Sequence, residues 1–239
     1  MCAVAVAICS CARPQGLARL LRALERQRLD GLADADLVVI VVDNDPEASA
    51  GRVVRGHREV SRFAIRHVHE PRRGLSRARN AALDAARSEA REIAFIDDDE
   101  APEPGWLAAL RRARMETGAE AAVGPIDPVF ERPPADWLIR GGFHAKRLPA
   151  RDGLVRDGYT CNALVALEAV DRLGLRFDPA LDETGGEDTM VFRALLDGGG
   201  RIAWAPEARV VEWIPPAKAR LGWLLRRWRR TGNVEARLG

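Results

Sequence analysis

The chain has no apolar run approaching the roughly 18–20 residues that cross a bilayer, so no membrane-spanning helix is expected. It opens without the basic, apolar and cleavage segments of a secretion signal. Its four cysteines, Cys2, Cys9, Cys11 and Cys161, lack the paired spacing of a zinc site. They read as buried thiols of a cytosolic protein, where disulfides are rare. Net charge is only +2, so bulk charge points neither to nucleic acid as a partner nor to an acidic tail. No Gly-x-Gly-x-x-Gly follows the first apolar segment, which removes the fingerprint of a dinucleotide-binding dehydrogenase. Internal repeats and low-complexity segments are absent as well. What remains is a chain of 239 residues, 47% hydrophobic. That is ordinary for a globular protein and long enough for one large α/β domain or two small ones.

Short apolar segments alternate with helical patterns. Residues 3–8 read as a buried strand, followed by a turn at 10–13 and by Pro14 in the first turn of a helix. Leu17, Leu20, Leu21 and Leu24 then recur at helical spacing. Residues 37–42 form a second strand ending in Asp43-Asn44-Asp45-Pro46, and 63–68 a third. An alanine- and arginine-rich helix covers 75 to about 89, and 93–96 is a fourth strand. Trp106, Leu107, Leu110 and Ala113 mark the next helix, ended by Gly118, and 121–123 opens a fifth strand. This order predicts a mostly parallel sheet with helices on both faces. Ligands bind such sheets outside the carboxyl ends of the strands, where Asp43, Asp45, Asp97 and Asp99 all fall.

The second half is less regular. Residues 128–149 read as irregular, 159–167 as a strand, and 177–186 as a loop leading to a helix opened by Glu187 and Asp188. Short strands follow at 202–204 and 210–211. No clean linker separates the halves. The expectation is one domain with a nucleotide half at 1–125, an acceptor half at 126–217 and a basic amphipathic helix in 218–239.

The pattern is organised around 93–100, where four mostly apolar residues run into Asp97, Asp98, Asp99 and Glu100. In an extended chain Asp97 and Asp99 point one way and Asp98 the other. Two carboxylates on one face repel unless a cation lies between them. Mg²⁺ or Mn²⁺, which take oxygen ligands together with phosphates, suits the place. The competing reading is a solvated acidic turn.

Five stretches in this order resemble glycosyltransferase family 2, the inverting nucleotide-sugar transferases of GT-A fold. They are Ala7 through Pro14, Val41 through Asp45, Gly74 through Asn80, Phe95 through Glu100, and Gly185 through Asp188, with a closing arginine-rich segment. The resemblance implies a Rossmann-like GT-A domain with a smaller acceptor-side region. It also implies donor contacts from Cys9, Arg13, Asp43, Arg79, Asn80, Asp97 and Asp98. Asp43 has a second reading as an Asx-turn cap on the following helix. Arg79 and Asn80 lie in the first two turns of their helix, where a guanidinium can hold a phosphate or carboxylate. Asp99 is the first choice of metal ligand, with Asp97 at ribose or metal. The family closes its metal site with a histidine after the last strand, but no histidine follows His144 here. Glu212 either takes that place or the metal keeps only aspartate, phosphate and water. The resemblance further implies a carboxylate base in Glu187-Asp188, Asp188 before Glu187. Their other reading is favourable acidic charge in a helix's first turn.

The expected reaction is metal-dependent transfer from a nucleotide diphosphate-sugar, most often a UDP-sugar in this family, to a glycan or lipid-linked hydroxyl. Trp137, His144, Tyr159 and Asn162 are candidates to line the acceptor site. Two other classes are the alternatives, each with a feature that sets it apart. A haloacid-dehalogenase phosphatase carries its Asp-x-Asp near the chain start, and a non-catalytic nucleotide-binding subunit has no need of both Asp99 and Asp188. In 218–230, Leu221, Leu224, Leu225 and Trp228 form one helical stripe flanked by arginines. That stripe serves either packing on the domain or peripheral contact with an anionic membrane at the cytoplasmic face, and it cannot serve both partners at once.

Overall fold

Strand β1 (Cys2–Ser10) sets the frame. Its side chains alternate, with Val4, Val6 and Ile8 entering one apolar cluster and Ala5 and Ala7 the other. Both faces are therefore covered, as a parallel sheet requires. The computed structural model describes residues 1–238; the side chains of Glu235, Arg237 and Leu238, and Gly239 at the end of the expected basic helix, lie outside the described residues. Strands β2 (Leu37–Asp43), β3 (Ala64–His69) and β4 (Ala90–Asp97) run parallel to β1 in the order β3-β2-β1-β4. Helices α1 (Pro14–Leu24) and α2 (Gly51–Arg58) cover one face through Leu17, Leu20, Leu21 and Val54. Helix α3 (Leu75–Arg87) covers the other through Ala78, Ala82, Ala85 and Ala86.

After β4 the chain crosses into a second sheet. Strand β5 (Glu100–Pro102) follows a two-residue turn, and α4 (Trp106–Thr117) follows β5, closed by Gly118 in the left-handed region. Then come β6 (Ala121–Val123), β7 (Ile126–Phe130), α5 (Asp136–Gly141), β8 (Leu154–Val155), β9 (Asn162–Ala166), α6 (Leu167–Arg172) and α7 (Glu187–Asp197). The chain closes with β10 (Ile202–Trp204), β11 (Val210–Ile214) and α8 (Leu221–Leu238). The large sheet has the order β3-β2-β1-β4-β9-β6-β10-β8, and the small one β5-β11-β7. β9 runs antiparallel to both β4 and β6.

The α/β architecture with a mostly parallel sheet is as expected. Segment 128–149 is more ordered than its composition suggested, since it holds the end of β7 and all of α5. Pro128 within β7 hid that strand, and it is tolerated because β7 is an edge strand. Helix α2 was hidden by Gly51 and Gly56, both poor helix formers. Among the cysteines only Cys161 is buried; Cys2, Cys9 and Cys11 are partly exposed.

Asn162 is fully buried and ties the second half together. Its Nδ2 donates to the carbonyls of Pro125 (3.0 Å) and Ala208 (2.7 Å), and its Oδ1 accepts from Trp106 Nε1 (2.8 Å). It is a structural hub rather than a lining of a sugar site.

Candidate active site

Strand β4 stops at Asp97, and residues 98 and 99 form the turn into β5. The alternation expected of an extended chain therefore ends one residue early. Asp98 and Asp99 share one cation: Arg13 Nη1 lies 2.9 Å from Asp98 Oδ1 and 3.1 Å from Asp99 Oδ2. Ser10 Oγ donates to the other Asp98 oxygen at 2.8 Å. Asp97 instead faces Arg79, 3.8 Å away. Burial pushes the Asp97 carboxyl up to about 6, against the pull of Arg79 and with the repulsion of Asp99. Burial also raises Asp98, opposed by Arg13.

Arg79 is buried on the inner face of α3. Its Nη1 donates to Glu187 Oε1 at 2.5 Å, and its guanidinium lies 5.6 Å from the centre of the Phe177 ring. This one side chain links the end of β4 to the start of α7. Glu187 is buried in that pair. Asp188, the next residue, is only partly buried and lines a cavity of about 580 Å³ together with Lys146, Tyr159, Arg227 and Arg230. Its Oδ1 accepts from the backbone N–H of Thr189 at 2.9 Å, which orients the carboxylate at the helix start. The two members of Glu187-Asp188 thus have separate environments. Gly186, at φ +95°, has room for no Cβ because Val234 of α8 packs over it, so α8 closes one side of the cavity.

Two expected donor contacts, Asp43 and Asn80, have partners within the chain. Asp43 is fully buried; its Oδ2 accepts from the N–H of Ala50 at 2.9 Å and its Oδ1 from the N–H of Asp45 at 3.3 Å. The Asp45 contact is an Asx turn, but α2 carries no side-chain cap, and His67 Nε2 also lies 3.3 Å from Asp43 Oδ2. Asn80 spends its whole amide on one residue, donating to the Phe177 carbonyl at 2.7 Å and accepting from the Phe177 N–H at 3.0 Å. It pins the 177–186 loop to α3. Asn44, not anticipated, binds the Glu70 and Arg72 carbonyls and the Gly74 N–H, joining two loops at the carboxyl edge of the sheet. Cys9 pairs in register with Asp97, and burial pushes its thiol up to about 12, so it is a neutral neighbour of the acidic turn.

Glu212 of β11 pairs across the small sheet with Glu100. Its Oε1 lies 3.1 Å from Lys218 Nζ, and the same Nζ lies 3.0 Å from Asp99 Oδ2. Burial works against the Lys218 charge, but Asp99 and Glu212 outweigh it and its pKa is raised. Two carboxylates from different segments therefore converge on one positive point, and their hard oxygens fit a Mg²⁺ or Mn²⁺ ion there. A second group, Asp97, Glu100 and Cys161, has ligand atoms within 4.8 Å of one another. It suits a divalent ion less well, because burial raises Glu100 and Cys161 well above their ordinary values. Lys146 Nζ lies 2.8 Å from Cys161 Sγ at that place. Neither lysine was anticipated, yet the signal was in the sequence, which has only two lysines against 35 arginines.

An acidic turn at the end of β4 in a mixed α/β sheet, with the Asp188 carboxylate on a cavity wall, is compatible with a sugar-transferring enzyme. The chain belongs to glycosyl transferase family 2, whose signature matches residues 5–174, and it is a glycosyltransferase. The succinoglycan biosynthesis protein ExoM of Rhizobium meliloti (strain 1021) is 40% identical over 233 residues, covering 98% of this chain and 74% of that protein. S. aureus TarS 1–349 in complex with UDP superposes with a TM-score of 0.66 at 16% identity, over 90% of this chain and 61% of that one. GalNAc-T7 with UDP, GalNAc and Mn²⁺ superposes with a TM-score of 0.69 at 16% identity, over 93% of this chain and 45% of that one. The chain spans less than two thirds of either solved structure. At this identity the likeness shows the GT-A fold.

Proposed function

We propose that this glycosyltransferase moves a sugar from a UDP-sugar to a hydroxyl of a glycan or lipid-linked acceptor in polysaccharide biosynthesis, with inversion at the anomeric carbon. The observation that carries the reading is the split between Glu187, locked onto Arg79, and Asp188, open to the cavity. The TarS complexes with UDP and UDP-GlcNAc, and the name of the ExoM relative, support the donor and the pathway class.

In this reading Asp188 takes the proton of the acceptor hydroxyl as its oxygen attacks the anomeric carbon. The bond from that carbon to the diphosphate breaks on the opposite face, and the nucleoside diphosphate leaves. Arg13, half exposed beside Asp98 and Asp99, is placed to meet incoming phosphate. Arg79 keeps Asp97 and Glu187 in register and also attracts the Asp188 carboxylate, which faces the cavity as the base. A Mg²⁺ or Mn²⁺ ion held by Asp99 and Glu212 would neutralise charge on the leaving diphosphate. Asp188→Asn should lower turnover of UDP-sugar by about 10²–10⁴ while donor KM hardly moves. Asp99→Ala, or chelation of the wild type, should abolish UDP binding. Near-normal turnover in Asp188→Asn moves the base elsewhere, and unchanged UDP binding under chelation removes the metal.

Both readings of the α8 stripe find support. Leu224 and Val234 are buried on the domain, whereas Leu221, Leu225 and Trp228 are exposed. Trp228 meets Phe143 at 5.4 Å, and Phe143 meets the exposed Trp137 of α5 at 5.9 Å, with Ile139 exposed beside it. Among the described residues no helix is long and apolar enough to cross a membrane. The α5–α8 patch, on helices that also expose Arg140, Arg226 and Arg229, instead suits peripheral contact with anionic lipid at the cytoplasmic face.

A further inference from the structure

The only two lysines of an arginine-rich chain sit at the two carboxylate groupings of the active site. A surface ion pair does not account for Lys218. Its side chain and those of Asp99 and Glu212 are each less than a quarter exposed, and one ammonium serves both carboxylates. An ammonium is a compact point charge on a flexible stem, whereas a guanidinium is a broad planar fork. Lysine is thus the residue that fills a place the size of a bare cation and can withdraw from it.

We propose that Lys218 is a resident cation that occupies the Asp99–Glu212 seat in the unloaded protein, and that a divalent ion enters by displacing it. The proposal rests on the reading of these two carboxylates as the metal seat. Lys218 belongs to the short connection between β11 and α8, held by its N–H to the Pro215 carbonyl at 2.9 Å. Five residues on, Trp223 stacks on His144 with ring centres 5.4 Å apart. Further along α8, Arg227 and Arg230 line the Asp188 cavity. Withdrawal of the ammonium therefore pulls on the first turn of the helix that covers the acceptor side. It also frees a positive charge beside the place where the diphosphate arrives. Lys146 does not exchange in this way, because its grouping of Asp97, Glu100 and Cys161 includes a thiol, and Glu100 and Cys161 are both buried.

The test is calorimetric titration of Mn²⁺ into nucleotide-free wild type, Lys218→Met and Lys218→Gln, with amide exchange over 217–224 of the wild type as a measurement that needs no variant. Both variants should bind Mn²⁺ at least tenfold more tightly than wild type. Amide exchange at the start of α8 should quicken when wild type is saturated with Mn²⁺. Equal or weaker Mn²⁺ binding by the variants, or exchange indifferent to Mn²⁺, overturns the proposal while a binding wild type keeps the metal seat. Absence of Mn²⁺ binding in all three proteins overturns the metal seat and the proposal together.

Discussion

Replacing Arg79 by methionine removes the one cation between Asp97 and Glu187 while keeping most of the side-chain volume. Glu187 is then a buried carboxylate without its partner at 2.5 Å, and Asp97 loses the neighbour at 3.8 Å that opposes its raised pKa. Breaking a buried pair by removing one member costs about 3–5 kcal/mol. For a chain of this size that corresponds to a fall in Tm of about 6–20 °C, at about 2–4 °C per kcal/mol. Glu187→Gln is milder, about 1.5–3 kcal/mol, because the amide oxygen still accepts from Arg79. In the double variant both buried charges of the pair are gone, so its loss should fall short of the sum of the singles by about 1–3 kcal/mol. Urea denaturation of the four proteins at pH 7.5 gives the cycle, and UDP release from UDP-sugar gives the function. Glu187→Gln should keep turnover within about tenfold of wild type, since in the proposed mechanism its carboxylate is a positioning group and Asp188 is the base. Strict additivity, or a loss under about 1 kcal/mol in Arg79→Met, would refute the view of this pair as a buried link. A Glu187→Gln variant as inactive as Asp188→Asn would return Glu187 to the chemistry.

At Gly16 on α1, an added Cβ would sit 2.4 Å from the Asp98 carbonyl. Gly16→Ala should therefore push the helix from the acidic turn, costing about 1–3 kcal/mol and weakening UDP binding in a thermal-shift titration. His144 is buried between Phe130 and Trp223, and burial lowers its pKa, aided by Arg227 and Lys218 and opposed by Glu212. A depressed imidazole favours the fold fully above its ordinary pKa, about 6.5, and the contribution is lost as pH falls through the folded value. Urea midpoints should thus drop between pH 7.5 and 5.5, and His144→Phe should flatten that drop; an unchanged slope would assign it to other groups. Trp228→Glu and Leu225→Glu should release the protein from anionic vesicles in co-sedimentation without altering UDP release from UDP-sugar. Equal recovery of wild type on neutral and anionic vesicles would leave the patch without a lipid role.

Much of the nucleotide half was legible because its signals are local. The apolar run into Asp97 and the leucine spacing of α1 each fall within one element, and the structure follows them closely. The side-chain directions at 97–99 were not legible, since alternation holds only while the chain stays extended, and β4 gives way to a turn after Asp97. The role of Asn80 depends on Phe177, 97 residues on, which no spacing within α3 discloses. Asn162 and His144 read in the sequence as candidates to line the acceptor site, and only packing shows that both are buried. The α8 stripe left two readings open because helical periodicity marks an apolar side without saying how wide a strip the domain covers. Glu212 was reached through the missing histidine, whereas the company it keeps with Lys218 needed the fold.

The chain leaves the large sheet at Asp97 and enters the small one at Glu100. Asp99 is tied to the small sheet through its carbonyl and the Trp213 N–H, 3.1 Å apart, and Glu212 belongs to that sheet outright. Asp188 stands on a helix whose Phe192 and Leu195 are rooted against the large sheet. In the proposed mechanism the leaving-group side and the attacking side of the reaction are therefore carried by different sheets, which meet at the acidic turn and again where β6 runs into β7 and β10 into β11. Alignment between donor and acceptor is then a property of how the sheets are seated and of no single residue. Heat or a loosened contact between them can stop sugar transfer while each sheet is still folded, so loss of activity should precede loss of secondary structure on warming.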